Sequence, residues 1–253
     1  MATRVFKMTL ATVVVACSAD AGRASMITFT GGTPGTDHLA ASAKFDLAGS
    51  TLTITLTNTA TGAIGDVMNP ADLLTALFFS LPDGVSLATS GSTAYIASGS
   101  TWYFDSDSAD PGDFGGNVGG EWAYGAGLVG APESAKSGIS SAGFDLFGDA
   151  TFNGANLHGP TAVNGFNYAI TSAGDDVTTG NAAVTGGKPL IKNAVVFSLT
   201  VSGALDLNKI TDVGFQYGTG LGEPYVPVNQ IPAPGAALLG VLGLGLLRLR
   251  RPH

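Results

Sequence analysis

Four aspartates, Asp105, Asp107, Asp110 and Asp113, fall within nine residues of a glycine-broken stretch, with Asn117 just beyond. Oxygen ligands at such close spacing on a loop suit a hard cation such as Ca2+, and crowded carboxylates repel one another without one. The spacing departs from the EF-hand loop, whose glycine and terminal bidentate glutamate are not in register here, and a solvated acidic loop is the competing reading. Around this stretch stand Trp102, Tyr103, Trp122 and Tyr124. If exposed, their rings would form a platform for the apolar faces of sugar rings; if buried, they are ordinary core residues.

Little else in the chain resembles a reaction centre. His38 and His158 are the histidines of the central region, with no second histidine at metal-ligand spacing. Gly138-Ile139-Ser140-Ser141-Ala142 lacks the final glycine of a nucleophile elbow. Gly125-Ala126-Gly127-Leu128-Val129-Gly130 matches a dinucleotide fingerprint by letters, but Ala131-Pro132 follows at once and no strand-helix-strand unit surrounds it, so it reads as a glycine-rich loop. Catalysis is therefore not expected, with a secreted hydrolase as the remote alternative.

Composition narrows the partners. Between Met26 and Asn229, five lysines and no arginine face eighteen acidic residues, an excess of thirteen negative charges. Such a surface repels phosphate backbones and excludes nucleic acid as a partner. Cys17 is the sole cysteine, so a chain that loses its N-terminus has neither thiol nor disulfide and must be held by packing and hydrogen bonds.

The elements that would position these residues read as strands. Ala43–Leu47 and Thr51–Asn58 flank Ala48-Gly49-Ser50 as a hairpin, and Leu52, Ile54 and Leu56 alternate with four threonines at a period no helix satisfies. Leu73–Leu81 is more continuously apolar, which predicts a central strand covered on both faces and turned by Pro82-Asp83-Gly84. Met26–Thr30, Val85–Ala88, Thr93–Ile96, Trp102–Phe104, Phe166–Ile170, Val195–Val201 and, as the last strand, Ile210–Tyr217 complete the set, with one helical turn opened by Asn69-Pro70-Ala71-Asp72. Periodicity fades from Asp105 to Gly165, which predicts a loop-rich insertion that buries isolated aromatics. No segment between Met26 and Gln230 has the spacing of an amphipathic helix. The expected fold is all-β: one β-sandwich, jelly-roll-like, over residues 22–222, followed by an extended linker, 223–230, whose prolines should not continue a ladder.

Both ends carry export features. Arg4 and Lys7 precede the apolar segment Met8–Ala16, and Ala19-Asp20-Ala21 supplies the small residues of a signal-peptidase site. The leader is thus residues 1–21, with a cut after Ser25 as the alternative end; Val14-Val15-Ala16-Cys17 also fits a lipidation site. At the other end, residues 231–253 combine a proline pair, an apolar run from Gly235 to Leu247, and Arg248, Arg250 and Arg251. An uncharged stretch of about fifteen residues reaches roughly 22 Å as a helix, short of the ~30 Å hydrocarbon core, which suits a temporary anchor better than a permanent one. The arginines should act as the membrane stop on the cytoplasmic side.

That tail resembles the PEP-CTERM sorting signal of Gram-negative bacteria, with Pro232, Ala233 and Pro234 as a variant motif in which alanine replaces the usual glutamate. The body is similar, through Phe45-Asp46-Leu47, Leu52–Asn58, Leu77-Phe78-Phe79 and Phe215–Thr219 with Glu223-Pro224, to a subgroup of exosortase-dependent surface proteins. The resemblance implies signal peptidase and an exosortase as processing partners. It also implies a secreted or cell-surface location, transient membrane insertion of the tail, and a structural or adhesive role beside extracellular polysaccharide. It offers no catalytic residue to carry over. A calcium-dependent glycan-binding module is the alternative.

Overall fold

The computed structural model describes residues 26–35, 37–61, 68–103, 110–147, 157, 167–176, 184 and 189–228. The segments expected to be a leader, residues 1–21, and a sorting tail, residues 231–253, lie outside the described residues. Among those described, the chain is all-β, with strands joined by turns and short 3-10 helices, and no helix is long and apolar enough to cross a membrane.

Five strands form the first sheet: β1 (Met26–Gly31), β2 (Ala41–Ala48), β3 (Thr51–Asn58), β5 (Ser86–Ile96) and β11 (Ala194–Ser202), in the order β1-β2-β3-β11-β5. The expected hairpin is β2–β3, paired from Ala48↔Thr51 to Ala41↔Asn58. Leu52, Ile54 and Leu56 are fully buried, whereas Thr51, Thr53, Thr55 and Thr57 are exposed or half-buried, so the alternation is obeyed along the whole strand. Each fully buried side chain of this size stabilises by about 1.5–3 kcal/mol.

The second sheet runs β13-β12-β4-β9-β10-β6, built from β4 (Leu74–Ser80), β6 (Thr101–Tyr103), β9 (Ala169–Thr171), β10 (Leu190–Lys192), β12 (Thr211–Tyr217) and β13 (Tyr225–Pro227). Residues of both sheets share one core, in which Phe45 of β2 meets Phe79 of β4 edge-on with centroids 5.5 Å apart. Every residue of β4 is buried, Thr75 and Ser80 included, as expected of a central strand covered on both faces. Leu77 and Phe79 face the shared core, while Ala76 and Phe78 face a separate apolar cluster with Leu128, Phe144 and Phe147.

That second cluster lies in the expected loop-rich insertion and buries its Phe144 and Phe147, with one correction, two short strands. Within it, β7 (Ala123–Ala126) and β8 (Ser137–Ser140) form a hairpin, and β8 pairs with β4 from Ala76↔Ser140 to Phe79↔Ser137. Both strands are short and built of small residues, so neither shows apolar periodicity. The small residues make room: a Cβ on Gly138 would sit 2.9 Å from both Phe78 and Phe147, and one on Gly125 would sit 2.8 Å from Leu128. A second correction concerns the linker. Tyr225–Pro227 pairs antiparallel with β12 as an edge strand, where a missing N–H can face away from the ladder.

Of the remaining segments, Val85–Ala88 and Thr93–Ile96 merge into the single strand β5, and β9 begins at Ala169. Asn69 and Asp72 form a capping box over the 3-10 turn Pro70–Asp72, the Asn69 amide donating to Asp72 at 2.7 Å.

Candidate functional site

The acidic stretch and the exposed aromatics meet at one corner. Asp110 caps a 3-10 helix, Pro111–Phe114, by accepting the Gly112 amide at 2.8 Å, and the same Oδ1 accepts the indole N–H of Trp102 at 2.9 Å. Gly112 lies against that indole, where an added Cβ would approach the ring to 3.3 Å. Trp102 itself is held on β6, whose ladder with β10 pairs it with Ile191. The segment after the 3-10 helix then clasps the end of β5: the Ile96 amide donates to Gly116 and the Val118 amide to Ala94, both at 2.9 Å, around a bridge between Tyr95 and Asn117.

Three large apolar rings remain exposed on this framework: Tyr95 (41 %), Trp102 (36 %) and Phe114 (48 %). Tyr103 beside them is half-buried. Trp122 and Tyr124 belong elsewhere, which corrects the four-ring platform. Trp122 is fully buried and packs edge-on against Phe197, with centroids 5.0 Å apart. Tyr124 is 7 % exposed, shares a hydrogen bond with Ser137 at 3.3 Å, and burial raises its phenol pKa despite that bond. The strand positions, unreadable in the sequence, made the difference. Tyr95 and Phe114 were missed because nothing local separates an exposed ring from a core one.

Of the four aspartates, Asp105 and Asp107 lie outside the described residues. Asp113 is exposed on the 3-10 helix, and Asp110 commits one oxygen to its two N–H donors. Among the described residues no group of three or more histidines, cysteines or acidic residues is gathered at metal-binding range. Gly125–Gly130 is the end of β7 and the loop leaving it, in keeping with the glycine-rich loop reading. Ser140 of the incomplete elbow is fully buried and bonded to main-chain oxygens of Thr75 and Ala142, so it is a strand residue. His158 and the residues expected to form the sorting motif and membrane stop, Pro232, Ala233, Pro234, Arg248, Arg250 and Arg251, lie outside the described residues.

A shallow depression on another face is lined by Phe144, Asp145, Thr219, Gly220 and Leu221. Phe144 and Asp145 both have positive φ, 54° and 56°, a conformation that side-chain-bearing residues adopt only where the surroundings enforce it. Across from them, Glu223 accepts the amides of Thr219 and Gly220. The Phe215–Thr219 and Glu223-Pro224 motif is thus a device for holding one loop.

No protein-family model matches the sequence, no curated protein is similar to it, and no solved structure matches it.

Proposed function

We propose that the protein is exported, processed at its C-terminus by an exosortase-type enzyme, and kept at the cell surface or in the extracellular matrix of a Gram-negative bacterium. Its role there is structural or adhesive, beside extracellular polysaccharide. The observation that carries this reading is the order of parts in residues 231–253: proline pair, short apolar run, then three arginines. The rest of the chain is compatible with that role. Its body is acidic and lysine-poor, and we read its two sheets as a jelly-roll-like β-sandwich, a reading supported by the crossings of the chain between them at β3→β4, β4→β5, β5→β6, β10→β11 and β11→β12. The exposed rings of Trp102, Phe114 and Tyr95 would serve as the contact surface for sugar rings.

The alternative, a calcium-dependent glycan-binding module, is favoured by one observation, the hydrogen bond that ties Asp110 of the acidic stretch to Trp102. In that reading Asp110 and Asp113, with Asp105 and Asp107, would hold Ca2+ beside the indole.

Intact-mass measurement of the protein taken from its own envelope tests the sorting reading. A mature chain beginning near Gly22 or Met26 and ending near Pro234 is expected. A chain that still ends at His253 would overturn it. Alanine at Arg248, Arg250 and Arg251 should leave the precursor uncut.

A further inference from the structure

A sheet ends in a row of main-chain N–H and C=O groups that will pair with any strand laid beside them, and proteins ordinarily blunt such edges. In this protein four ends are blunted. β5 is clasped by Gly116–Val118 at one end and interrupted along its middle, between Ala88 and Thr93, by a register shift opposite Ser198–Thr200. β6 is three residues long, β13 is three residues long with Pro224 before it and Pro227 within it, and two of the four residues of β7 are buried. The end of the first sheet differs. β1, Met-Ile-Thr-Phe-Thr-Gly, is six residues long and has no charge and no proline. It pairs with β2 along its whole length, and no described residue donates to or accepts from its outer edge. Met26 is 53 % exposed at its start.

We propose that the outer edge of β1 is an interaction surface, and that its occupant is β1 of a second copy of this chain, paired antiparallel about a two-fold axis. An antiparallel edge is complementary to itself, so the one open edge found among the described residues has one closed solution, the dimer, where two would have given a fibre. The pairing also satisfies the sheet faces. A two-fold axis perpendicular to the sheet keeps Phe29 of each copy on its core side and Thr28 of each copy on the solvent side, joining two five-stranded sheets into one of ten. Among the described residues the charges on the neighbouring strand cancel within each copy, because Lys44 and Asp46, opposite Thr28 and Met26, form an ion pair at 3.8 Å.

This inference rests on the export reading at one point. A cut after Ala21 or Ser25 leaves four residues or none ahead of Met26, too few to cover a six-residue edge. Removal of the leader leaves the chain too short ahead of Met26 to pair with that edge itself.

Native mass spectrometry of the processed protein from the envelope is the test, with size-exclusion chromatography beside it. A species of twice the chain mass is expected. Thr28→Lys, an exposed edge position where like charges would meet across the axis, should abolish that species while leaving the β-type circular dichroism spectrum unchanged. Thr28→Cys or Thr30→Cys, introduced into a mature chain without cysteine, should give a disulfide-linked dimer under oxidation. A processed chain that is monomeric, or a dimer indifferent to Thr28→Lys and never crosslinked through β1, would overturn the proposal. The single-chain mass in the same spectrum reports processing separately, so a retained leader counts against the export reading and a processed monomer against this one.

Discussion

Gln216 and Glu223 hold one loop from opposite sides: the Gln216 side-chain amide donates to the main-chain oxygen of Glu223 at 3.1 Å, while the Glu223 carboxylate accepts the amides of Thr219 and Gly220. Gln216 is fully buried, and its amide also lies within hydrogen-bond range of the oxygens of Tyr217, Gly220 and Pro224. Replacing it by leucine, of similar size, strands those acceptors. Gln216→Leu should cost on the order of 1–3 kcal/mol, read as a lower urea midpoint at unchanged slope. A midpoint equal to that of the parent would show that water replaces the amide without loss.

Gly218 is the companion of that pair. Its φ is +74°, and a Cβ there would overlap the Glu223 carboxylate. Gly218→Ala should destabilise by roughly 1–3 kcal/mol in thermal melts, and pairing it with Glu223→Ala should recover only the steric share of the loss.

The hairpin offers a sharper contrast between neighbours. Ile54 is fully buried and pairs with Phe45 on one side and Phe197 on the other, whereas Thr53 is half-buried on the opposite face. Ile54→Ala should cost roughly 2–5 kcal/mol and Thr53→Ala under about 1 kcal/mol, because only the first leaves a cavity. Chemical denaturation of the two variants checks it.

Alkaline pH should unfold the protein through its phenols. Burial, followed by the negative charges of Glu133 and Asp212, pushes Tyr225 up to about 12. Burial likewise raises Tyr168, with Glu121 and Asp110 adding to it, and Tyr217, with Asp175 adding to it. A phenol whose folded pKa exceeds its unfolded value of 10.0 favours the fold in full below pH 10 and ceases to do so as pH rises through the folded value. Stability should therefore hold to about pH 10 and fall towards about pH 12 and beyond. Phenolate absorbance should rise together with loss of the β spectrum; late phenolate formation without unfolding would contradict the linkage.

Calcium supplies a separate check on the corner at Trp102. If Asp110 and Asp113 share a cation with Asp105 and Asp107, a hundredfold excess over its dissociation constant should stabilise by about 2.7 kcal/mol, seen as a melting temperature that drops on adding chelator. Identical melts with and without calcium would leave a solvated acidic loop.

Strands whose burial is patterned were legible in the sequence. β3 alternates because one face is wet, and β4 carries apolar residues on both faces because Leu77 and Phe79 meet the core while Ala76 and Phe78 meet a second cluster. β7 and β8 were not, since Ala-Tyr-Gly-Ala and Ser-Gly-Ile-Ser are shaped by the rings of Phe78 and Phe147 pressed against their glycines, a contact between residues far apart in the chain. β13 was hidden by its prolines, which an edge tolerates and a central strand does not. At the corner, the residue types in the acidic stretch were legible, but which aromatic faces solvent was decided by the strand that carries it: Trp102 on a short edge strand, Trp122 beneath Phe197.

The position of β11 between β3 and β5 has a temporal meaning. Strands ending at Asn58 and Ile96 stay unjoined until the segment Ala194–Ser202 arrives to bridge them. Closing so long a loop adds little to the free-energy cost, because that cost grows only logarithmically with length, so the delay is one of supply. Pairings this remote in sequence also place the chain among slow folders. Until the ribosome has delivered residue 202, β3 and β5 each present a strand with one open side. The vulnerable period of this molecule is therefore its synthesis and transit, and premature truncation anywhere before β11 should yield aggregate rather than a smaller folded protein.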